Sequence, residues 1–354
     1  MVFKPDRPAI PDAPFMAESP RRTVSPDDLP PVEPPNAAFL VQLFLVPGII
    51  VAIIVAVWLA FHWLAHMGSD PQAYVRTLRR DNEGRWQAAL NLANDLRGPG
   101  GAALKADVQL ATELGRILTD EAASGRTGEQ SQTLRLYLCR ALGEFAIPAA
   151  AAPLVERARG VSDPQTARAA VEALAVLTTN LTAAGRSLDD PVQAADALLT
   201  ASRSDDVPLR SAAAFTLGVV GGEKAVERLV ALSGDEADDV RFNAALGLAR
   251  QGRDEAFAPL GEMLALPDLP PPAETGGDAA ADMAAQSRRY KRALVVVNAL
   301  RGVALLVDAT RVPPPGNLLD RVKQLTEDPV GDVRSSAREV LKKIDRLGSD
   351  APAR

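Results

Sequence analysis

The sequence predicts an all-α chain, in which one membrane-spanning helix is followed by a long solenoid of stacked helix pairs. Three observations lead there. Aromatic residues make up 4% of the 354 while apolar residues reach 47%, and small apolar side chains of even size suit closely stacked helices. Runs of Val and Ile between Gly-rich turns, expected of the strands of a layered α/β enzyme, are absent outside one segment near the N-terminus. From residue 70 onward, a single helical phrase returns six or seven times.

Residues 1–37 form the first element. Pro5, Pro8, Pro11, Pro14, Pro20, Pro26, Pro30, Pro31, Pro34 and Pro35 stand among mixed charges and few large apolar groups. Such a segment buries too little surface to offset its ordering entropy, so a disordered or polyproline II tail is expected. The string from Pro30 to Pro35 suits an aromatic groove, but a spacer is the commoner use of such composition.

Residues 38–65 form the second element, a single-pass transmembrane helix. No Asp, Glu, Lys or Arg occurs between Glu33 and Asp70, and Phe39 to Leu64 is almost wholly apolar. About 20 residues cross a hydrocarbon core, so the run crosses with tilt. Pro47-Gly48 is expected to kink the helix without stopping it, because lipid offers the backbone no other hydrogen-bond partner. A cleaved signal peptide has a far shorter apolar region nearer the start. Trp58, Phe61, His62, Trp63 and His66 crowd the C-terminal end, where an interfacial belt belongs. His62 and His66 have the i, i+4 spacing of a metal or haem pair, but no second membrane helix supplies further ligands. Flanking charge sets the direction: residues 23–37 carry Asp27, Asp28 and Glu33 and no Lys or Arg, whereas Arg76, Arg79 and Arg80 follow the helix. The repeat domain is therefore expected in the cytoplasm, on the cell (inner) membrane.

Residues 70–347 form the third element and carry the phrase: an Arg, Ala three or four places later, then Leu and a small residue at the eighth and ninth places. It runs Arg85 to Leu92-Ala93, Leu134-Arg135 to Leu142-Gly143, Thr166 to Leu174-Ala175, Leu209-Arg210 to Leu217-Gly218 and Val240-Arg241 to Leu248-Ala249. Weaker copies run Arg292 to Leu300 and Val333-Arg334 to Leu341. Leu134 and Thr166 lie 32 apart, and Leu209 and Val240 lie 31 apart, the length of one helix-turn-helix unit. A second amphipathic helix follows each copy, as in Gly222 to Leu232, where Ala225, Leu229 and Leu232 share a face.

The phrase has physical reasons. Paired alanines allow close helix approach, and the Leu at the eighth place returns to the same face after two turns to fill the seam. The small residue after it is expected to loosen the helix end. Asp239 and Asp332, ahead of Val240 and Val333, are expected as N-caps. The Arg of stacked units is expected to meet acidic groups of the neighbouring turn in a polar ladder.

On these residues the chain resembles the HEAT-repeat superfamily in its short bacterial, phycobilisome-lyase-like form, best over Leu209 to Leu232 and Val240 to Leu264, with Leu134 to Leu154 next. The resemblance implies a HEAT-like α-solenoid whose units contact mainly their neighbours, with inner helices lining a concave binding surface. Gly98 to Glu129, Thr178 to Pro191 and a Pro/Gly/Ala-rich stretch at 267–286, read as a flexible insert, depart from the pattern. Residues 348–354 read as a C-terminal tail.

The residues argue against catalysis. The HEAT superfamily's iron-dependent hydroxylases use His-Glu pairs, yet no His follows His66, which removes imidazole from metal, base and nucleophile-activation chemistry in the repeats. Cys139, the single cysteine, lies in an apolar helical pattern and reads as core. Gly218 to Lys224 lacks phosphate-loop spacing and reads as a turn. Asp189-Asp190, Asp205-Asp206 and Asp238-Asp239 read as helix caps rather than acid-base pairs. With 45 acidic and 39 basic residues well mixed, for a formal charge of −6, no concentrated cationic face for nucleic acid is expected. The run Arg288-Arg289-Tyr290-Lys291-Arg292 is the densest positive patch; it suits anionic lipid or an acidic partner, though a solvated helix face explains it more simply. The expected function is a membrane-anchored scaffold for protein-protein interaction, with protein partners, the bilayer at 38–65 and no nucleic acid. No catalytic, cofactor-binding or metal-ligating residue is assigned. A lyase-like enzyme or accessory subunit on the same scaffold is the alternative.

Overall fold

A run that is apolar from Phe39 to Leu64 apart from Gln42 and His62 forms α1 (Ala37–His66), which continues through Pro47. At 1.5 Å per residue its 30 residues measure about 45 Å. Every described side chain from Val41 to Ala60 is exposed. The computed structural model describes residues 37–66, 71–82, 84–160, 162–267 and 279–349, and these fall into two units, Met1–Ala65 and His66–Arg354. The Pro-rich tail before Ala37, the residues 268–278 and the last five residues lie outside the described ones.

The second unit is an all-α, HEAT-like solenoid built from two layers. One layer holds α3 (Arg85–Arg97), α6 (Glu129–Gly143), α8 (Pro164–Ala183), α10 (Val207–Val220), α12 (Asp238–Arg250), α14 (Ala279–Thr310) and α16 (Gly331–Ser349), each packed on the next. The other holds α2 (Pro71–Arg79), α5 (Val108–Ala123), α7 (Ala151–Ala158), α9 (Pro191–Ala201), α11 (Glu223–Leu232), α13 (Phe257–Leu264) and α15 (Gly316–Gln324). Each of these packs on the first-layer helix that follows it. A single turn, α4 (Ala102–Lys105), joins α3 to α5. The seven copies of the phrase fall one to each helix of the first layer, so among the described residues the solenoid has seven helix pairs.

Burial explains why the phrase recurs. Its Leu at the eighth place is wholly buried in six copies, at Leu92, Leu142, Leu174, Leu217, Leu248 and Leu300, each contributing about 1.5–3 kcal/mol of apolar burial. The small pair before it is buried as well, at Ala88-Ala89, Ala213-Ala214 and Ala244-Ala245. In α6 these two places are taken by Leu138 and Cys139, both at 0% exposure. In α16 the corresponding second place is Arg338 and the place after Leu341 is Lys342, both exposed. Charge on the face that other units bury is the composition of a terminal unit.

Four expectations are corrected. The small residue after the Leu does not loosen the helix end; it lets successive first-layer helices touch. A Cβ on Gly218 would stand 2.3 Å from the Gly247 Cα, and one on Gly143 would stand 2.9 Å from the Ala173 carbonyl oxygen. Asp239 is not an N-cap: α12 begins at Asp238, its cap residue is Ala237 with no side-chain bond, and both aspartates sit in the first turn, as Asp332 does in α16. The segment Gly98 to Glu129 is no departure from the layering, because it contains the 16-residue α5. The last eight residues of the stretch read as an insert, 279–286, are the first turns of α14.

Gly218→Ala should therefore destabilise the repeats by about 1–3 kcal/mol, the usual effect of overpacking, read by urea denaturation of the purified chain. Gly316→Ala, with nothing within 4 Å of its added Cβ, should be neutral or slightly stabilising. Equal effects at the two sites would contradict the backbone contact.

Candidate docking face

The Arg of the phrase is held by the fold on both sides. It donates to a carbonyl of the turn that leads into its own helix: Arg135 to Arg126 at 2.9 Å, Arg210 to Ser204 at 2.7 Å, Arg241 to Asp235 at 2.9 Å and Arg334 to Asp328 at 2.7 Å. Arg85 donates instead to Leu78, in the last turn of α2, at 2.8 Å. It also reaches an acidic group of the following unit. Arg85 pairs with Glu121 at 2.9 Å, Arg135 with Asp163 at 3.2 Å and Arg210 with Asp235 at 2.8 Å. Arg241 pairs with Glu262, and Arg292 lies 2.6 Å from Asp328, a contact of charge without an aligned hydrogen bond. Asp235 and Asp328 each serve two rungs, the carboxylate for one Arg and the backbone oxygen for the next. The expected polar ladder is present.

Its electrostatics follow from those contacts. The hydrogen bond from Arg210 holds the Asp235 carboxyl below the usual range, against the opposing effect of burial and with help from the Ala237 amide. Burial pushes Glu121 up, but the bonds from Ser131 and Arg85 and the charge of Arg126 outweigh it, so it too lies low.

Other residues singled out in the sequence are also absorbed by the fold. Asp190 and Asp206 cap α9 and α10, accepting from the amides of Gln193 at 2.8 Å and Leu209 at 2.7 Å. Asp163 and Asp107 cap α8 and α5 in the same way. Gly221 and Gly222 turn the chain between α10 and α11 with φ of 73° and 96°, conformations that favour glycine. Cys139 is fully enclosed and burial pushes its thiol up to about 12, which disfavours the reactive thiolate. His62 and His66 belong to α1, but their side chains are outside the described ones.

What the fold leaves free is the outward side of the first layer. The sixth place of the phrase holds Leu90, Arg140, Glu172 and Phe215 in four successive copies, none of them buried. Unlike the buried places, it changes character from unit to unit. Trp86 stacks on Tyr137 with ring centroids 6.2 Å apart, and the Arg140 guanidinium lies 5.4 Å from the Tyr137 centroid. Arg250 lies 5.3 Å from the Phe215 centroid, and partial burial lowers its pKa. A cleft of about 410 Å³ across α3, α6 and α8 is lined by Asn94, Arg97, Tyr137, Arg140, Glu172 and Val176. Arg97 closes one side by bonding Glu144 at 2.9 Å. Aromatic rings covered by arginines combine the residue types that anchor protein interfaces. Tyr137 and Arg140 are neighbours on one helix face, but Trp86 and Tyr137 lie 51 positions apart and Phe215 and Arg250 lie 35 apart, and no local pattern joins those.

The chain is thus an α-solenoid of the helical-repeat class. More particularly, the HEAT repeats family matches residues 195–271, a stretch that runs from within α9 through α13. A comparison with curated proteins finds no match. Among solved structures, an engineered protein, Northeast Structural Genomics Consortium target OR329, is 18% identical with a TM-score of 0.34, over 79% of this chain and 98% of its own. Human deoxyhypusine hydroxylase in complex with glycerol is 19% identical with a TM-score of 0.31, over 78% and 96%.

Replacing Asp235 by Ala leaves Arg210, with a side chain only 10% exposed, without its carboxylate; a loss of about 3 kcal/mol is expected, as for other buried pairs broken on one side. The folded pKa of Asp235 is depressed, so its contribution is fully present above the unfolded value of about 3.9 and disappears as pH falls through the folded one. The stability difference between wild type and Asp235→Ala, followed by urea denaturation from neutral pH downward, should shrink only below about pH 4. A difference independent of pH would contradict the ion pair.

Proposed function

We propose that the chain is a single-pass membrane protein whose HEAT repeats form a cytoplasmic docking scaffold, with the Pro-rich tail on the opposite side of the bilayer. The short bacterial form of the repeat is favoured by the unit lengths of 31 and 32 residues. The observation that carries the scaffold reading is the division within the phrase. Its constant places are buried or held in the Arg ladder, and its outward places vary and bear arginine-covered rings and exposed apolar groups such as Val176 and Phe215. Repeat proteins recognise through such surface places while the packing places maintain the stack. No step of chemistry is assigned to the scaffold.

Membrane insertion is supported by α1. Its window Leu43–Ala60 is long and apolar enough to cross a bilayer and none of it is buried. The window Ala280–Thr310 of α14 meets the same test of length and composition, but half of it is buried in the stack, where Val296, Leu300, Val303 and Leu306 are core residues. Only α1 is proposed to span. The cytoplasmic placement rests on Arg76, Arg79 and Arg80 following α1.

Two measurements test the proposal. A photo-crosslinking residue placed at Tyr137, Val176 or Phe215 in cells should give discrete protein adducts, while Val192 and Val230, exposed on the second layer, should not. Adducts from neither set, or equally from both, would sink the docking face. A reporter fused after Arg354 should be active only in the cytoplasm, and activity solely outside it would reverse the orientation.

A further inference from the structure

Four cations on α14 have no carboxylate partner among the described residues. Of the run from Arg288 to Arg292, only Arg292 is used by the stack, against Asp328. Among the described residues Arg288, Arg289 and Lys291 form no ion pair, nor does Arg301 three turns further on, whereas the ladder's Arg85, Arg135, Arg210 and Arg241 each hold an acid. The Nε of Arg289 is buried and has no acceptor, a state that costs about 1–3 kcal/mol until one arrives. The helix itself is unusual. Its 32 residues begin at Ala279, about three turns ahead of the phrase, and those turns carry Met283 at 72% exposure and Tyr290 at 70%.

Below this stretch, a groove of about 660 Å³ separates α14 from the start of α16. Arg289, Tyr290, Leu294 and Arg301 line one wall, and Val330 and Ser335 line the other. Positions 290, 294, 297 and 301 follow one another at four, three and four residues, so they share one face of the helix. That face presents Tyr290 and Leu294, 70% and 47% exposed, between Arg289, which adjoins Tyr290, and Arg301.

We propose that this groove binds an acidic peptide segment of a partner protein, with carboxylates on Arg289 and Arg301 and one large apolar side chain between Tyr290 and Leu294. Charge complementarity selects the acidic character, and the apolar wall selects the anchor. Arg289 and Arg301 are 12 residues apart on a helix, about 18 Å. An extended peptide spans that distance with acids five or six residues apart. An anionic bilayer fits less well, because a flat surface meets a recessed groove only at its rim. The inference rests on the scaffold reading only in taking a protein as partner; crosslinks from Tyr137, Val176 and Phe215 report on that reading separately.

The test pans a random twelve-residue display library on the full chain held in neutral-lipid nanodiscs. Enriched clones should carry acidic residues five or six places apart around a large apolar one. A synthetic representative should bind at least tenfold more weakly to Arg289→Glu/Arg301→Glu and to Leu294→Ser, with unchanged circular dichroism. Failure to enrich acidic clones, or equal binding to the charge-reversed variant, overturns the proposal. So does Arg289-dependent binding of the nanodisc-held chain to phosphatidylglycerol vesicles with no acidic clone enriched, which would assign the face to a membrane instead.

Discussion

Everything in the solenoid depends on how closely successive helices of the first layer approach. At Gly218 and Gly247 the backbones are so near that a single added Cβ has no room, and Gly143 meets Ala173 almost as tightly. Close approach explains the Leu two turns into each phrase, which fills the seam beside the contact. It also opens the carbonyls of those glycines to the next unit, because no side chain covers them. Asn180 donates to Gly143 at 3.2 Å and Gln251 to Gly218 at 2.8 Å. An amide from one helix thus satisfies the end of the helix before it, so the hydrophobic seam and the polar edge have the same geometric origin.

The ladder adds order along the stack. Because Asp235 binds Arg210 through its carboxylate and Arg241 through its backbone oxygen, three consecutive elements are tied at one residue. Asp328 repeats the arrangement between Arg292 and Arg334. Such links act between neighbours alone, which is the condition under which outward side chains are free to differ from unit to unit.

That same locality decides what was legible from the residues. The first layer could be read because its buried places repeat in spacing and size, and the ladder because an Arg stands at a constant place in most copies. The helix α5 was missed because second-layer helices are amphipathic without the Ala pair, and no phrase announces them. Asp239 was assigned the wrong role because an acid before Val-Arg looks like a cap, whereas the chain enters α12 one residue earlier and Asp235 takes over the turn by accepting from Ala237 at 3.0 Å. The docking face and the α14 groove are formed by residues some 30 to 50 positions apart. Only the stacking register brings Trp86 to Tyr137, or Arg289 to Ser335.

The two long apolar helices pass the same test of length and composition but differ in burial. In α14, Val296, Leu300, Val303 and Leu306 face the core while Arg301 and Asn298 lie at or toward the surface, so water and protein share its faces. In α1, large side chains from Val41 to Leu59 are about half exposed or more all around the helix, and no charged residue interrupts them. Leaving fourteen such groups in water would cost on the order of 15 kcal/mol, as much as the whole stability of a typical domain. None of the described window Leu43–Ala60 is buried. The hydrocarbon of a bilayer, about 30 Å thick against a helix of about 45 Å, would remove that cost without requiring any polar group from α1, which is the ground on which insertion is proposed for it.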